Sequence, residues 1–152
     1  MDLVDPFGRT IRDLRISVTD RCNFRCTYCM PAEGMQWLDR ADVLYDVDGI
    51  RLTGGEPTVR AHLPVLIEKL SHLRVPETSR SALAGRKPDI ALTTNGATFR
   101  LVAHELRQAG LDRVNISLDT LQADRFIAMT RRDELFRVLD GIEAAKEAQA
   151  YE

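Results

Sequence analysis

The sequence predicts an α/β fold built from about four parallel βα units. Three observations predict it. Short runs rich in β-branched and aliphatic residues recur along the chain, glycine-containing breaks follow them, and apolar residues at helical spacing fill the intervals between them. At 152 residues the chain suits one domain with a sizeable core.

The elements follow in order. Leu14 to Thr19 alternates apolar and polar side chains and stops at Asp20, which suits a strand running into a loop. Asp48 to Thr53 and Asp89 to Thr94 read as further strands, closed by Gly54-Gly55 and Asn95-Gly96, and Arg113 to Leu118 reads as a fourth. Leu63, Leu66, Ile67, Leu70 and Leu73 lie along one helical face, and Leu135, Val138, Leu139, Ile142 and Ala145 repeat that spacing. A weaker stripe, Leu101, Val102, Leu106 and Ala109, ends at Gly110, a helix stop. Asn95-Gly96 alone would suit a hairpin, but the stripe behind it predicts a strand-to-helix turn. Val75 to Lys87 reads as a polar connecting loop.

The first connection is short. Parallel neighbours need a crossover of roughly a dozen residues or more, usually with a helix. Once a Cys22 to Gly34 loop is set aside, only Met35 to Val47 remain, with no amphipathic stripe. In such folds the functional groups gather at the carboxyl ends of the strands, where the cysteines and the glycine-rich breaks fall.

Composition excludes several classes. With 44% hydrophobic and 29% charged residues the chain is not of the disordered kind. Its longest unbroken apolar run, Phe126 to Met129, is far short of the roughly 20 residues that span a bilayer, so no membrane association is expected. The amino terminus, Met1 to Pro6, carries acids and no apolar stretch behind them, unlike a signal peptide, which predicts a cytoplasmic protein. A net charge of -2 supplies no global field to gather nucleic acid, so any anion site must be local.

All three cysteines fall within Cys22 to Cys29, in the spacing CxxxCxxC. An odd, tightly spaced set in a cytosolic chain points to metal or redox chemistry rather than disulfides. Thiolates suit zinc or iron-sulfur clusters, and zinc would need a fourth ligand such as His62, His72 or His104, none of them close in sequence. A 4Fe-4S cluster held by three thiolates would keep one iron open to an outside ligand. The spacing favours the cluster over zinc or plain buried thiols.

CxxxCxxC after a strand, with aromatic Tyr28 before its last cysteine, resembles the radical S-adenosylmethionine (SAM) superfamily. Arg12-Asp13-Leu14-Arg15, Thr19 to Cys26, Arg51-Leu52-Thr53-Gly54-Gly55-Glu56-Pro57, Leu92-Thr93-Thr94-Asn95-Gly96 and Asn115-Ile116-Ser117-Leu118-Asp119 narrow the likeness. They are similar, in order, to the MoaA family of GTP 3′,8-cyclases of molybdenum-cofactor biosynthesis.

The resemblance implies a partial (β/α) barrel of the radical SAM type, a 4Fe-4S cluster and SAM as cofactors, and GTP as substrate. The reaction would be 5′-deoxyadenosyl radical abstraction of hydrogen, giving (8S)-3′,8-cyclo-7,8-dihydroguanosine 5′-triphosphate. It implies Cys22, Cys26 and Cys29 as cluster ligands, Tyr28, Gly55 and Ser117 as SAM contacts, and Arg15, Arg51 and Thr93 as GTP contacts. No catalytic acid or base is assigned. Partners by family are an electron donor, a downstream cyclic pyranopterin monophosphate synthase and, as one assembly, a homodimer. The residue types agree, since guanidinium forks favour phosphate oxygens and a Gly-Gly turn brings backbone close to a ligand. Taken singly, each has a plainer reading: a strand-end turn for Gly54 to Pro57, surface charges for Arg15 and Arg51, a backbone-paired hydroxyl for Ser117.

Members of that family are about twice as long, with six barrel units and a second, carboxyl-terminal cysteine cluster. Residues 1–152 are therefore expected to be the amino-terminal part of such a domain, with an internal loss near Leu44-Tyr45 and the carboxyl-terminal part absent. The alternative is a non-catalytic truncated remnant that binds an iron-sulfur cluster or zinc.

Overall fold

The computed structural model describes residues 5–9, 11–19, 21–29, 48–75, 77 and 82–148. Four strands, β1 (Asp13–Ser17), β2 (Gly49–Thr53), β3 (Asp89–Thr94) and β4 (Arg113–Ile116), form one parallel sheet in the order β1-β2-β3-β4. Four helices, α1 (Leu63–Ser71), α2 (Ala103–Ala109), α3 (Ala123–Thr130) and α4 (Leu135–Glu147), alternate with or follow the strands. Short 3₁₀ turns at Pro57–Val59 and Phe99–Leu101 lead into α1 and α2. The sheet is an open arc rather than a closed barrel, as the expected partial barrel requires. The proposed loss near 44–45 lies outside the described residues.

The register explains the sheet's two faces. Ile16, Leu52, Leu92 and Val114 pair across the strands, as do Arg15, Arg51, Ala91 and Arg113 one residue earlier. Because side chains alternate along a strand, the first row points to one face and the second to the other. The apolar row packs with Leu63 and Ile67 of α1, Ala103 and Leu106 of α2, and Ala144 and Ala145 of α4 in one core. β3 sits between two partners, and its Ile90, Ala91 and Leu92 are all buried, as suits an inner parallel strand.

Leu73, expected on the first stripe, lies past the end of α1 and is exposed, as is Leu139 of the α4 stripe; two further helix readings need correction. The stripe expected to include Leu101 and Val102 starts two residues late: Phe99–Leu101 form a 3₁₀ turn, Leu101 faces solvent, and Ala103 and Leu106 carry the contact with the core. A 3₁₀ turn winds more tightly than an α-helix and so shifts which side chains face inward. The stop at Gly110 is as expected. That residue has φ +110°, and the N–H of Leu111 donates to Leu106, closing the helix end. The second correction is α3, which the apolar stripes did not disclose; only Phe126 and Thr130 of it are buried.

Asn95-Gly96 makes a strand-to-helix turn, with Gly96 at φ +82°. A Cβ there would stand 2.8 Å from Ile116 Cγ2, so strand end and α4 close over glycine only.

Candidate functional site

The carboxyl ends of β1 and β2 are laced together by backbone. Val18 N–H donates to the Thr53 carbonyl at 2.8 Å, Gly55 N–H to Thr19 at 2.7 Å and Glu56 N–H to Arg21 at 2.6 Å. Gly54, at φ +144°, lies so close that a Cβ would overlap the Thr19 carbonyl. The double glycine is therefore a consequence of loop-to-loop contact, and the N–H of Gly55 is committed to that contact.

The cysteine loop rests on α3. Phe24 packs edge-on against Phe126, ring centroids 5.8 Å apart, within an apolar cluster that also holds Cys26, Ala97, Leu135 and Val138. Arg25 N–H donates to the Thr130 carbonyl at 3.2 Å, Thr27 N–H to Met129 at 2.9 Å, and Arg132 Nε to Asn23 at 3.3 Å. A helix invisible to the stripe analysis is thus what fixes the cysteines.

Cys22 is half-buried, Cys26 buried and Cys29 exposed, and all three are free thiols. Burial pushes the thiols of Cys22 and Cys26 up from their ordinary value; Cys22 also feels the negative charges of Glu56 and Cys29, and Cys26 those of Cys29 and Cys22. Three free thiols in one short loop suit a shared centre. Among the described residues no three His, Cys, Asp or Glu side chains stand at the spacing that grips a single ion. His62, His72 and His104 are exposed on or beside α1 and α2. This donor set fits a cubane, which spreads its thiolates over separate irons, better than it fits one zinc ion.

Tyr28 is exposed, and its hydroxyl donates to Asp119 Oδ2 at 2.7 Å, tying the cysteine loop to the end of β4. That bond, and then burial, pushes the phenol well above its ordinary range. Ser117 is held there by its N–H, which donates to Thr94 at 2.9 Å, and its side chain is exposed.

Arg15 and Arg51 stand side by side in register on the face opposite the apolar row. Arg113, in the same row, is locked by a bidentate ion pair with Asp89. Arg15 and Arg51 have no carboxylate partner among the described residues; Arg15 Nη2 reaches only Thr53 Oγ1, at 3.5 Å. An open hollow of about 300 Å³, lined by Arg15, Ser17, Thr53 and Gly54, lies at these strand ends. Thr93 lies two residues beyond Ala91 and so shares the arginines' face. A second hollow, of about 510 Å³, runs from Leu118 to Gln122 and Arg125. The structure thus sets Arg15, Arg51 and Thr93 on one face of the sheet, Gly55 just past β2 against Thr19, and Tyr28 by its bond to Asp119 near Ser117 past β4.

Sequence reasoning missed Glu56. It is completely buried, and its Oε1 accepts from Thr58 N (3.0 Å), Thr58 Oγ1 (2.6 Å) and Thr94 Oγ1 (2.6 Å), while Oε2 accepts from Asn95 N (2.6 Å). A carboxylate so supplied with donors can be buried without an ion pair. The signal was an acid between Gly-Gly and Pro, which also reads as an ordinary turn.

Residues 16–150 match the family model of the radical SAM superfamily, and the chain belongs to that superfamily. Its cofactors are accordingly a 4Fe-4S cluster and SAM. Three curated relatives sharpen the likeness. A GTP 3′,8-cyclase of Corynebacterium glutamicum is 49% identical, over 94% of this chain and 40% of its own length. GTP 3′,8-cyclase 2 of Pseudomonas aeruginosa is 49% identical, over 96% of the chain and 45% of its own. A GTP 3′,8-cyclase of Geobacter sulfurreducens is 47% identical, over 97% and 46%. The chain therefore spans less than half the length of these relatives. No helix among the described residues is long and apolar enough to cross a membrane.

Proposed function

We propose that residues 1–152 are the amino-terminal part of a radical SAM domain whose whole carries out the GTP 3′,8-cyclase reaction. The observation that carries the reading is the adjacent pair Arg15 and Arg51, without a carboxylate partner among the described residues, with Arg15 lining the hollow beside Gly54. Two guanidinium groups held in register without carboxylates suit the phosphate oxygens of a nucleoside triphosphate. Thr93 adds a hydroxyl on the same face.

Cys22, Cys26 and Cys29 would hold the cluster. Gly55, whose N–H is committed to Thr19, offers SAM its carbonyl, while Tyr28 and Ser117 flank it from the β4 side. When bound, the cluster and SAM supply a 5′-deoxyadenosyl radical able to take a hydrogen atom from the ribose of GTP. The chain's own part is to bind and orient. Glu56 fixes the ends of β2 and β3, and α3 fixes the cysteine loop, so that ligands on either side are held at a set separation.

The alignments with the relatives run to 158–162 positions, more than the chain's 152 residues, which supports an internal loss. The cytoplasmic setting, the electron donor, the downstream synthase and the homodimer belong to the same reading. Calorimetric titration of the anaerobically reconstituted chain with GTP and with ATP tests it. Weak binding of both triphosphates, lost on replacing Arg15 and Arg51, is expected, with SAM cleaved slowly and no cyclised nucleotide formed. Absence of nucleotide binding, or equal binding by the double variant, contradicts the assignment.

A further inference from the structure

Cys22 differs from its two neighbours in what surrounds its sulfur. Its Sγ lies 3.4 Å from the backbone nitrogen of Phe24 and 3.8 Å from Nδ2 of Asn95, a residue 73 positions away. Both nitrogens are donors. Among the described residues, neither Cys26 nor Cys29 receives an amide N–H on its sulfur.

The Asn95 side chain has no freedom to turn away. Its Nδ2 is also 2.7 Å from Oδ1 of Asn23, so of its two amide hydrogens one serves Asn23 and the other is directed to the sulfur. Its Oδ1 accepts the N–H of Ala97 at 3.1 Å. Flipping the amide would set Oδ1 against the Asn23 oxygen and Nδ2 against the Ala97 N–H, two like-on-like contacts, so the observed orientation is the one the neighbours dictate. The backbone is held as firmly, since Asn95 N–H donates to buried Glu56 at 2.6 Å. A donor anchored at three points, aimed at one sulfur of three, is more than a strand-end turn requires.

We propose that Asn95 is a positioning residue that raises the reduction potential of a cluster bound through Cys22, by donating an N–H hydrogen bond to its ligating sulfur. The proposal rests on the cluster reading given above. An N–H dipole pointed at a thiolate draws electron density from it and favours the more negatively charged, reduced state; such bonds to cluster sulfurs are one of the levers a protein has on potential. A Cys22 thiolate has no hydrogen to give, so the amide N–H groups of Asn95 and Phe24 become its donors. The same residue ties that sulfur, through Glu56, to the glycine turn at the end of β2.

The test is an EPR-monitored redox titration of the reconstituted 152-residue chain and of two variants, with circular dichroism as the check on folding. The unmodified chain is read first: if it takes up no iron and sulfide, the cluster reading itself fails, whatever Asn95 does. N95A removes donor and acceptor together. N95S leaves a hydroxyl oxygen to accept the Ala97 N–H and removes the amide donor without adding charge, so it decides the matter if N95A does not fold. Both variants are expected to keep the cluster and to lower its midpoint. For N95A the reduced-to-oxidised ratio at a fixed applied potential should fall about tenfold, which for a one-electron couple is about 59 mV. N95S should fall by a similar amount, because it loses the same N–H donor and gains no charge. Midpoints equal to that of the unmodified chain overturn the proposal. Loss of the fold or of the cluster in both variants overturns it too, since Asn95 would then only build the loop.

Discussion

On the helix-covered face of the sheet, Leu52, Ile90 and Leu92 are completely buried, whereas one step along the same strands Arg15 and Arg51 reach open solvent. Both sets occupy the same backbone, in the same register, so the contrast is one of side chains alone. The covered face is saturated: every apolar group meets another, and nothing in it calls for a ligand. The other face is unsatisfied, with two arginines that lack an acid among the described residues while a third, Arg113, is neutralised by Asp89. Stability resides on one face and binding capacity on the other. Substitutions on the two faces should therefore move different observables.

The largest effect is expected from the covered face. Leu92→Ala removes a fully buried side chain at the centre of the core and should destabilise the chain by about 2–5 kcal/mol in chemical denaturation. A loss under about 1 kcal/mol would mean that the core is not the closed packing described. On the other face, replacing Arg15 and Arg51 together with Ala should leave the denaturation midpoint nearly unchanged, since surface substitutions cost about 0.5 kcal/mol or less. GTP affinity in the same variant should fall by about tenfold or more for each arginine, as charge-assisted hydrogen bonds contribute roughly 1.5–3 kcal/mol. Coupled loss of stability and binding would erase the distinction between the faces.

A smaller effect separates the cysteine loop from both. Burial raises the thiols of Cys22 and Cys26 above their ordinary 9.0, so the folded apo chain prefers them protonated. Their contribution to stability is intact below about that pH and is lost as pH rises through the elevated folded values. The denaturation midpoint should hold level up to pH 9 or so and then decline. A Cys22→Ser, Cys26→Ser double variant should decline less. Equal declines would show that the thiols are not held in the way their burial indicates.

The sheet was legible in the sequence because its signals are local: alternation in Leu14 to Ser17, the aliphatic run Ile90 to Leu92, and a glycine break after β2 and β3. The cysteine spacing was equally local. What stayed hidden depends on partners far along the chain. Glu56 looks like a turn residue until Thr94 and Asn95, 38 and 39 positions on, close around it. Tyr28 meets Asp119 across 91 positions. α3 escaped notice because its inward face is a single aromatic and a threonine, Phe126 and Thr130, too sparse for a stripe; the cysteine loop it supports supplies the missing half of that contact. Leu101 misled for the opposite reason, an apolar residue that a 3₁₀ turn directs outward.

The central claim is that the three cysteines hold a cubane with one iron left for SAM. Anaerobic reconstitution with iron and sulfide, followed by EPR of the reduced chain with and without SAM, tests it most directly. Uptake of about four irons, a cubane signal that SAM alters, loss of the cluster on Cys26→Ala, and an unchanged signal on His104→Ala are expected. Stoichiometric zinc without iron uptake, a signal indifferent to SAM, or an equal loss from the histidine variant would contradict it.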